Sequence, residues 1–312
     1  MAQRPIRIAT RASKLALWQA HWVRDALLGR DPTLDITLLE MTTEGDRFLA
    51  APLAKVGGKG LFVKELETAM LDGRADLAVH SMKDVPVAFP EGLGLSVICA
   101  REDPSDAFVA RGDVAAETLE ALPAGARVGT ASLRRASQVM ALRPDLVTAP
   151  VRGNVQTRLA KLDSGEFDAI VLASAGLLRL GLGDRIRSPL RAPEFLPAGG
   201  QGAVGIECRN DDAELQALLA PLGCSVTSAC VSAERRVSAR LGGNCSVPLA
   251  AYCVEEGDGY WLQALVADPR GAPVLRAEGR GSDPLALGDE VAKALLDAGA
   301  GPLLEAVLAA QP

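Results

Sequence analysis

RVGTASLRRASQVMALRPDLVTAPVRGNVQTRLAKLDSGEFDAIVLASAGLLRLGL (127–182) is the stretch that decides the fold. Three apolar runs, RVGTA, LVTAPVRG and DAIVLASAG, alternate with SLRRASQVMALR, NVQTRLAKLDSG and LLRLGL, which carry a helical pattern. Strand and helix signals in strict alternation predict parallel strands joined by helical crossovers. The same rhythm runs upstream. IRIAT (6–10) reads as a strand, Leu15 to Leu28 as an amphipathic helix with Leu15, Trp18 and Trp22 at helical spacing, and ITLLEMTT (36–43) as the next strand. GLFVKELETAMLDG (60–73) predicts a helix ending at a glycine, ADLAVHS (75–81) a buried strand, and REDPSDA (101–107) after LGLSVICA a polar crossover. From about Ser225 the pattern changes to a helical run, then a meander with Glu-Gly-Asp-Gly and Asp-Pro-Arg-Gly turns, then a helical stretch from Leu285 to Ala310. The expected organisation is two α/β domains, 1–100 with 200–222 and 105–196, followed by a small α+β domain over 224–312.

Charge is unevenly spread. Arg127, Arg134, Arg135, Arg143, Arg152, Arg158 and Lys161 face a single acid, Asp145, within that segment, although the chain is net −6. VGTASLRR (128–135) and VRGNVQTR (151–158) each place arginines at the start of a predicted helix, where free N–H groups and the macrodipole already favour an anion. An arginine adds a planar fork suited to carboxylate or phosphate. The pattern points to a small polyanionic ligand, against the alternative of a solvated helix face. With 26 Arg and 7 Lys in the chain, abundance alone decides nothing, and position carries the reading.

Composition bounds the rest. The 312 residues, 48% hydrophobic and 23% charged, suit a globular protein of two or three domains. A pI near 5.2 argues against general nucleic-acid binding. The start MAQRPIRIAT has no apolar leader and no stretch approaches a bilayer span, so a cytoplasmic protein without membrane contact is expected. Six cysteines without CxxC pairs read as thiols in a reducing compartment, and two histidines offer little to a metal; no metal site is expected.

In open α/β sheets ligands gather at the carboxyl ends of strands, where Arg11, Ser13, Ser81, Lys83, Thr130, Ser132, Arg152 and Gly153 fall. AVHSMKDVP (78–86) brings Asp84 out of an apolar strand beside Pro86, where it is either an acid–base or cation-stabilising carboxylate or a turn cap. Strand alternation turns His80 away from Ser81, into a packed layer. AKVGGKGLFVKELE (54–67), with Lys59, is a Gly-rich basic loop without P-loop spacing, and AGGQGA (198–203), with Gln201, supplies backbone freedom or a plain linker. Cys245, in LGGNCSVP, is either an accessible nucleophile or attachment point, or a packed thiol.

AVHSMKDVP, VGTASLRRASQ, RGNVQTRL, LPAGGQGAVGIECR and the GGNCSVP element at 242–248 together resemble the porphobilinogen deaminase family, and the likeness runs from IRIATRASKLALWQA into the meander. The resemblance implies two domains like type II periplasmic binding proteins joined by hinge strands, and a third bearing a cysteine. It implies an enzyme that joins four porphobilinogen molecules head to tail into hydroxymethylbilane with loss of ammonia, in tetrapyrrole (haem and chlorophyll precursor) biosynthesis. The cofactor it implies is a dipyrromethane held through Cys245 by a thioether. Carried over by matching motif, Asp84 is the catalytic carboxylate that serves the leaving amine, the pyrrole N–H and the azafulvene cation. The same carry-over gives cofactor and substrate contacts to Arg11, Ser13, Lys83, Thr130, Ser132, Arg134, Arg135, Arg152, Gly153 and Arg158, and the candidate set also takes in Lys59, Ser81 and Gln201. The implied partner is porphobilinogen alone, with no obligate protein partner and a monomeric chain. Glu44, Ala131 and Asn244 depart from the family pattern without removing a matched catalytic group. Two competitors remain, a non-enzymatic small-anion binder and a cysteine hydrolase or acyltransferase. The second would need His80 as base, and its strand position speaks against that.

Overall fold

The computed structural model describes residues 4–43, 63–242 and 247–310. Lys59, Cys245, the 44–62 loop with Glu44, and Asn244 lie outside the described residues. Three sheets form. The first has strand order β2-β1-β3-β10-β4, with β1 Ile6–Arg11, β2 Ile36–Met41, β3 Leu77–Ser81, β4 Leu93–Ile98 and β10 Val204–Arg209. β1 runs parallel to β2 and β3, with Ile8 opposite Leu38 and Leu77. β10 enters antiparallel between β3 and β4.

Period-two alternation splits β1 between two cores. Ile6 and Ile8 meet Ala20, Val23 and Leu27 of the helix Lys14–Leu28, whereas Ala9 on the opposite face meets Leu66, Ala69 and Met70 of the helix Lys64–Leu71. The small residues Ala9 and Ala78 let that second helix lie close to the sheet.

The second sheet repeats the scheme with order β7-β6-β8-β5-β9, from β5 Asp106–Ala110, β6 Arg127–Gly129, β7 Val147–Ala149, β8 Ala169–Ala173 and β9 Ser188–Leu190. Phe108, Val128 and Val171 cover one face with Val139 from the helix Leu133–Leu142. Val109, Ile170 and Leu172 cover the other with Leu159 and Leu162 from the helix Val155–Asp163. The predicted alternation from 127 to 182 is thus realised element by element.

The third sheet is the expected meander, β11 Leu249–Glu256, β12 Gly259–Ala267 and β13 Val274–Gly281, antiparallel throughout. Its inner face packs on Val237 of the helix Ser225–Arg240 and on Val291 and Leu295 of the helix Pro284–Asp297. The terminal helical stretch is two helices rather than one, because Gly299 takes φ 99° between Pro284–Asp297 and Ala300–Ala309. Mixed α/β architecture, with two five-stranded sheets each covered by helices on both faces and a small C-terminal sheet-and-helix domain, is therefore the fold. By internal contacts the described residues gather into two compact units, 4–43 with 63–102 and 203–228, and 103–202 with 229–242 and 247–310.

Candidate functional site

In the first unit, polar side chains collect where β1 and β3 end. Ser13 caps the helix Lys14–Leu28, its Oγ accepting from the Ala16 N–H at 3.3 Å. A cavity of about 70 Å³ opens beside it, bordered by Arg11, Ser13, Gln19, His80, Ser81 and Asp84 over an apolar floor. Gln19, 2% exposed, donates from Nε2 to Ser81 Oγ at 2.9 Å and holds that hydroxyl at the rim. β3 then tightens into a 3-10 turn, Met82–Asp84, closed by the Val85 N–H donating to the Met82 carbonyl before Pro86. That turn presents Asp84 to the cavity. Lys83 lies in the same turn.

His80 is buried as the strand alternation predicts, and Glu207 from β10 meets it, Nε2 to Oε2 at 2.9 Å. Glu207 keeps its other oxygen, Oε1, buried without a hydrogen bond. Glu67, from the helix Lys64–Leu71, is 8% exposed; burial first, and then the charge of Glu207, push its carboxyl up to about 7 against the pull of His80.

In the second unit the two arginine units form the predicted helix starts. Ser132 caps Leu133–Leu142 by accepting from the Arg135 N–H at 3.4 Å, while its own N–H donates to Thr130 Oγ1 at 3.2 Å. Asn154 caps Val155–Asp163 through the Thr157 N–H at 2.8 Å. Gly153 precedes it at φ 113°, where a Cβ would lie 2.7 Å from the Thr157 side chain, so any side chain at this position would be strained. Arg158 Nε donates to the Gly153 carbonyl at 2.8 Å, and Arg152 is half-buried beside them.

The seven cations do not act as one patch. Arg143 spends its fork on Asp145 and on the carbonyls of Glu120 and Leu122. Arg127 lies over the Phe167 ring at 5.3 Å. Arg134 and Arg135, expected to meet ligand carboxylates, first meet Asp106, which opens β5 with no exposure at all. Arg134 Nη1 reaches Asp106 Oδ2 at 2.6 Å, and Arg135 Nε and Nη2 reach Oδ1 at 2.9 and 2.6 Å. Burial alone would raise the Asp106 carboxyl, but the two adjacent guanidiniums outweigh it and hold the group well below the usual carboxylate range. Gln201 is likewise turned inward, its Nε2 donating to the Pro104 carbonyl at 2.8 Å and to Asp106 Oδ1 at 2.9 Å. The physical reason is shared: these side chains are 1% to 5% exposed, and buried donors must be bonded within the fold. Lys59 and Cys245 lie outside the described residues.

Sequence reasoning missed three participants. Asp106 sat in what read as a polar crossover, Glu207 in an unassigned strand, and Arg179 at a helix end beyond the counted segment. Arg179 Nη2 donates to the Gly202 carbonyl at 2.7 Å, tying down the glycine-rich segment 198–202. Among the described residues no cluster of three or more His, Cys, Asp or Glu could hold a metal, and no helix is long and apolar enough to cross a membrane.

Comparison with known proteins bears on this arrangement directly. Residues 6–217 match the porphobilinogen deaminase dipyromethane cofactor binding domain, and residues 228–297 match the porphobilinogen deaminase C-terminal domain. Among solved structures, the periplasmic VFT2 domain of BvgS from Bordetella pertussis is similar at 20% identity over 69% of this chain and 84% of that one, TM-score 0.42. The aliphatic sulphonate binding protein SsuA from Escherichia coli is similar at 17% identity over 76% and 70%, TM-score 0.41. The chain belongs to the porphobilinogen deaminase family. Its activity is that of a hydroxymethylbilane synthase, a transferase that condenses porphobilinogen into a linear tetrapyrrole with loss of ammonia, and its cofactor is a dipyrromethane.

Proposed function

We propose that within this transferase Asp84 is the catalytic carboxylate and Cys245 the point of cofactor attachment. The observation that carries the reading is the cavity at the end of β3, where Asp84 shares a rim with Arg11, Ser13 and Ser81. A carboxylate there stands beside a cation and two hydroxyls, which suits a substrate that brings carboxylates of its own and a nitrogen that must gain and lose protons.

The donor set fits the cofactor. A dipyrromethane carries several carboxylates, and the second unit holds two buried guanidiniums against the single carboxylate of Asp106, one positive charge in excess. In this reading Arg11, Ser13 and Lys83 in the first unit, and Thr130, Ser132, Arg134, Arg152, Gly153 and Arg158 in the second, hold pyrrole carboxylates. Lys59 and Ser81 belong to the same proposed set, and Arg135 and Gln201 serve it through Asp106. The bound dipyrromethane supplies the nucleophilic pyrrole carbon on which the chain grows. Asp84 holds the proton that the leaving amine takes, and its anion then steadies the positive charge left on the substrate pyrrole.

The reading extends to the division into 1–100 with 200–222, 105–196 and 224–312. It also extends to a cytoplasmic monomer, with porphobilinogen as the only partner and neither nucleic acid nor membrane involved. The test is stoichiometric. Purified protein given porphobilinogen should release four ammonia for each bilane formed, and protein that bound porphobilinogen without releasing ammonia would return the chain to the small-anion binders.

A further inference from the structure

We propose that Asp106 is a positioning residue for the transfer reaction: braced by Arg135 and Gln201, it fixes the guanidinium of Arg134 for a ligand carboxylate. The inference rests on the reading that Arg134 serves pyrrole carboxylates.

Both oxygens of Asp106 are committed. Oδ1 accepts from Arg135 Nε, Arg135 Nη2 and Gln201 Nε2 at 2.9, 2.6 and 2.9 Å, and Oδ2 accepts from Arg134 Nη1 at 2.6 Å. The two arginines stand differently. Arg135 spends the Nε–Nη2 edge of its fork on Asp106 and gives Nη1 to the Val171 carbonyl at 3.2 Å, so its planar donor face is used inside the fold. Arg134 bonds through Nη1 alone, to Asp106 and to the Leu196 carbonyl at 2.7 Å, which leaves the Nε and Nη2 donors without a hydrogen bond among the described residues. Arg134 is thus the arginine with donors to offer, and Arg135 the brace. The brace is itself fastened: Gln201 also donates to the Pro104 carbonyl, and the neighbouring Gly200 N–H donates to Glu234 Oε2 at 2.6 Å.

Charge gives the arrangement its purpose. Two guanidiniums crowded without a counter-ion would repel and turn toward water, losing the fixed geometry that bidentate recognition needs. One carboxylate holds both in place and still leaves a net positive charge for the ligand.

The test compares Asp106→Asn, Asp106→Glu and Asp106→Asn/Arg135→Gln with wild type. The readouts are the fraction of purified protein carrying the dipyrromethane, by intact mass, and the KM and kcat of that loaded fraction. Asp106→Asn should carry the cofactor in less than half of its molecules and show a KM raised at least tenfold with kcat changed less than threefold; Asp106→Glu, which keeps the charge, should recover part of both. Should Asp106→Asn fail to fold, the double variant, which keeps the same net buried charge of plus one as wild type, should fold and still show the raised KM. In an Arg134→Gln background, Asp106→Asn should add less than a twofold change. Wild-type occupancy and KM in any folded Asp106→Asn protein, or a full tenfold effect persisting without Arg134, would overturn the proposal while leaving the functional reading intact. Wild-type protein that carried no dipyrromethane and consumed no porphobilinogen would overturn that reading, and the role of Asp106 with it.

Discussion

A Cβ placed on Gly205 would overlap the Sδ of Met82 and lie 2.9 Å from Leu95. Met82 can sink between the strands only because its neighbour on β10 has no side chain, and its N–H is fixed by the Ala203 carbonyl at 3.0 Å. Met82 opens the 3-10 turn that ends in Asp84. A glycine on β10 therefore makes room for the first residue of the turn that carries Asp84. Gly205→Ala should destabilise the protein by about 1–3 kcal/mol, as overpacking does. It should also slow turnover by roughly a hundredfold through an ångström-scale shift of Asp84. Thermal unfolding and kcat on the cofactor-loaded variant check both; a stability loss with unchanged kcat would separate the turn from catalysis.

Asp84 itself is tested by charge and reach. Asp84→Asn should keep the fold and the cofactor and lose most turnover, because the amide is nearly isosteric but uncharged and a poor proton carrier. Asp84→Glu keeps the charge and moves it by one methylene, so its rate should lie between the two. Single-turnover ammonia release measures this without interference from product escape. An Asn variant that released ammonia at the wild-type rate would leave Asp84 as a turn cap beside Pro86.

Glu67 links the buried layer under the cavity to pH. Its folded-state carboxyl is raised from 4.5 to about 7, so the folded protein favours the protonated form. That contribution is fully present below 4.5 and is lost as pH rises through about 7, so stability attributable to this group falls across that window. Glu67→Gln, permanently neutral, should gain in melting temperature relative to wild type as the pH goes from 5 to 8. A difference that stayed constant with pH would show that Glu67 does not titrate there.

How far the sequence could be read depended on whether the signal was local. The strands of 127–182 were legible because buried parallel strands are short apolar runs, and their helices because Ser132 and Asn154 are caps of a recognisable kind. The burial of His80 followed from alternation alone. β10 was not legible as a strand, since its pairing with β3 and β4 joins segments more than a hundred residues apart and nothing local announces it. Separation along the chain also hid Asp106: it precedes Arg134 by 28 positions, outside the arginine-rich segment, which therefore looks less neutralised in sequence than it is. Gln201 read as part of a flexible linker, yet its side chain is among the most buried polar groups.

The measurement that bears most directly on the account is the mass spectrum of the purified protein with a peptide map of its six cysteines. The account predicts one dipyrromethane per chain, joined by a thioether to the peptide containing Cys245. An unmodified Cys245 in active protein, or the adduct on Cys208 or Cys253, would contradict it.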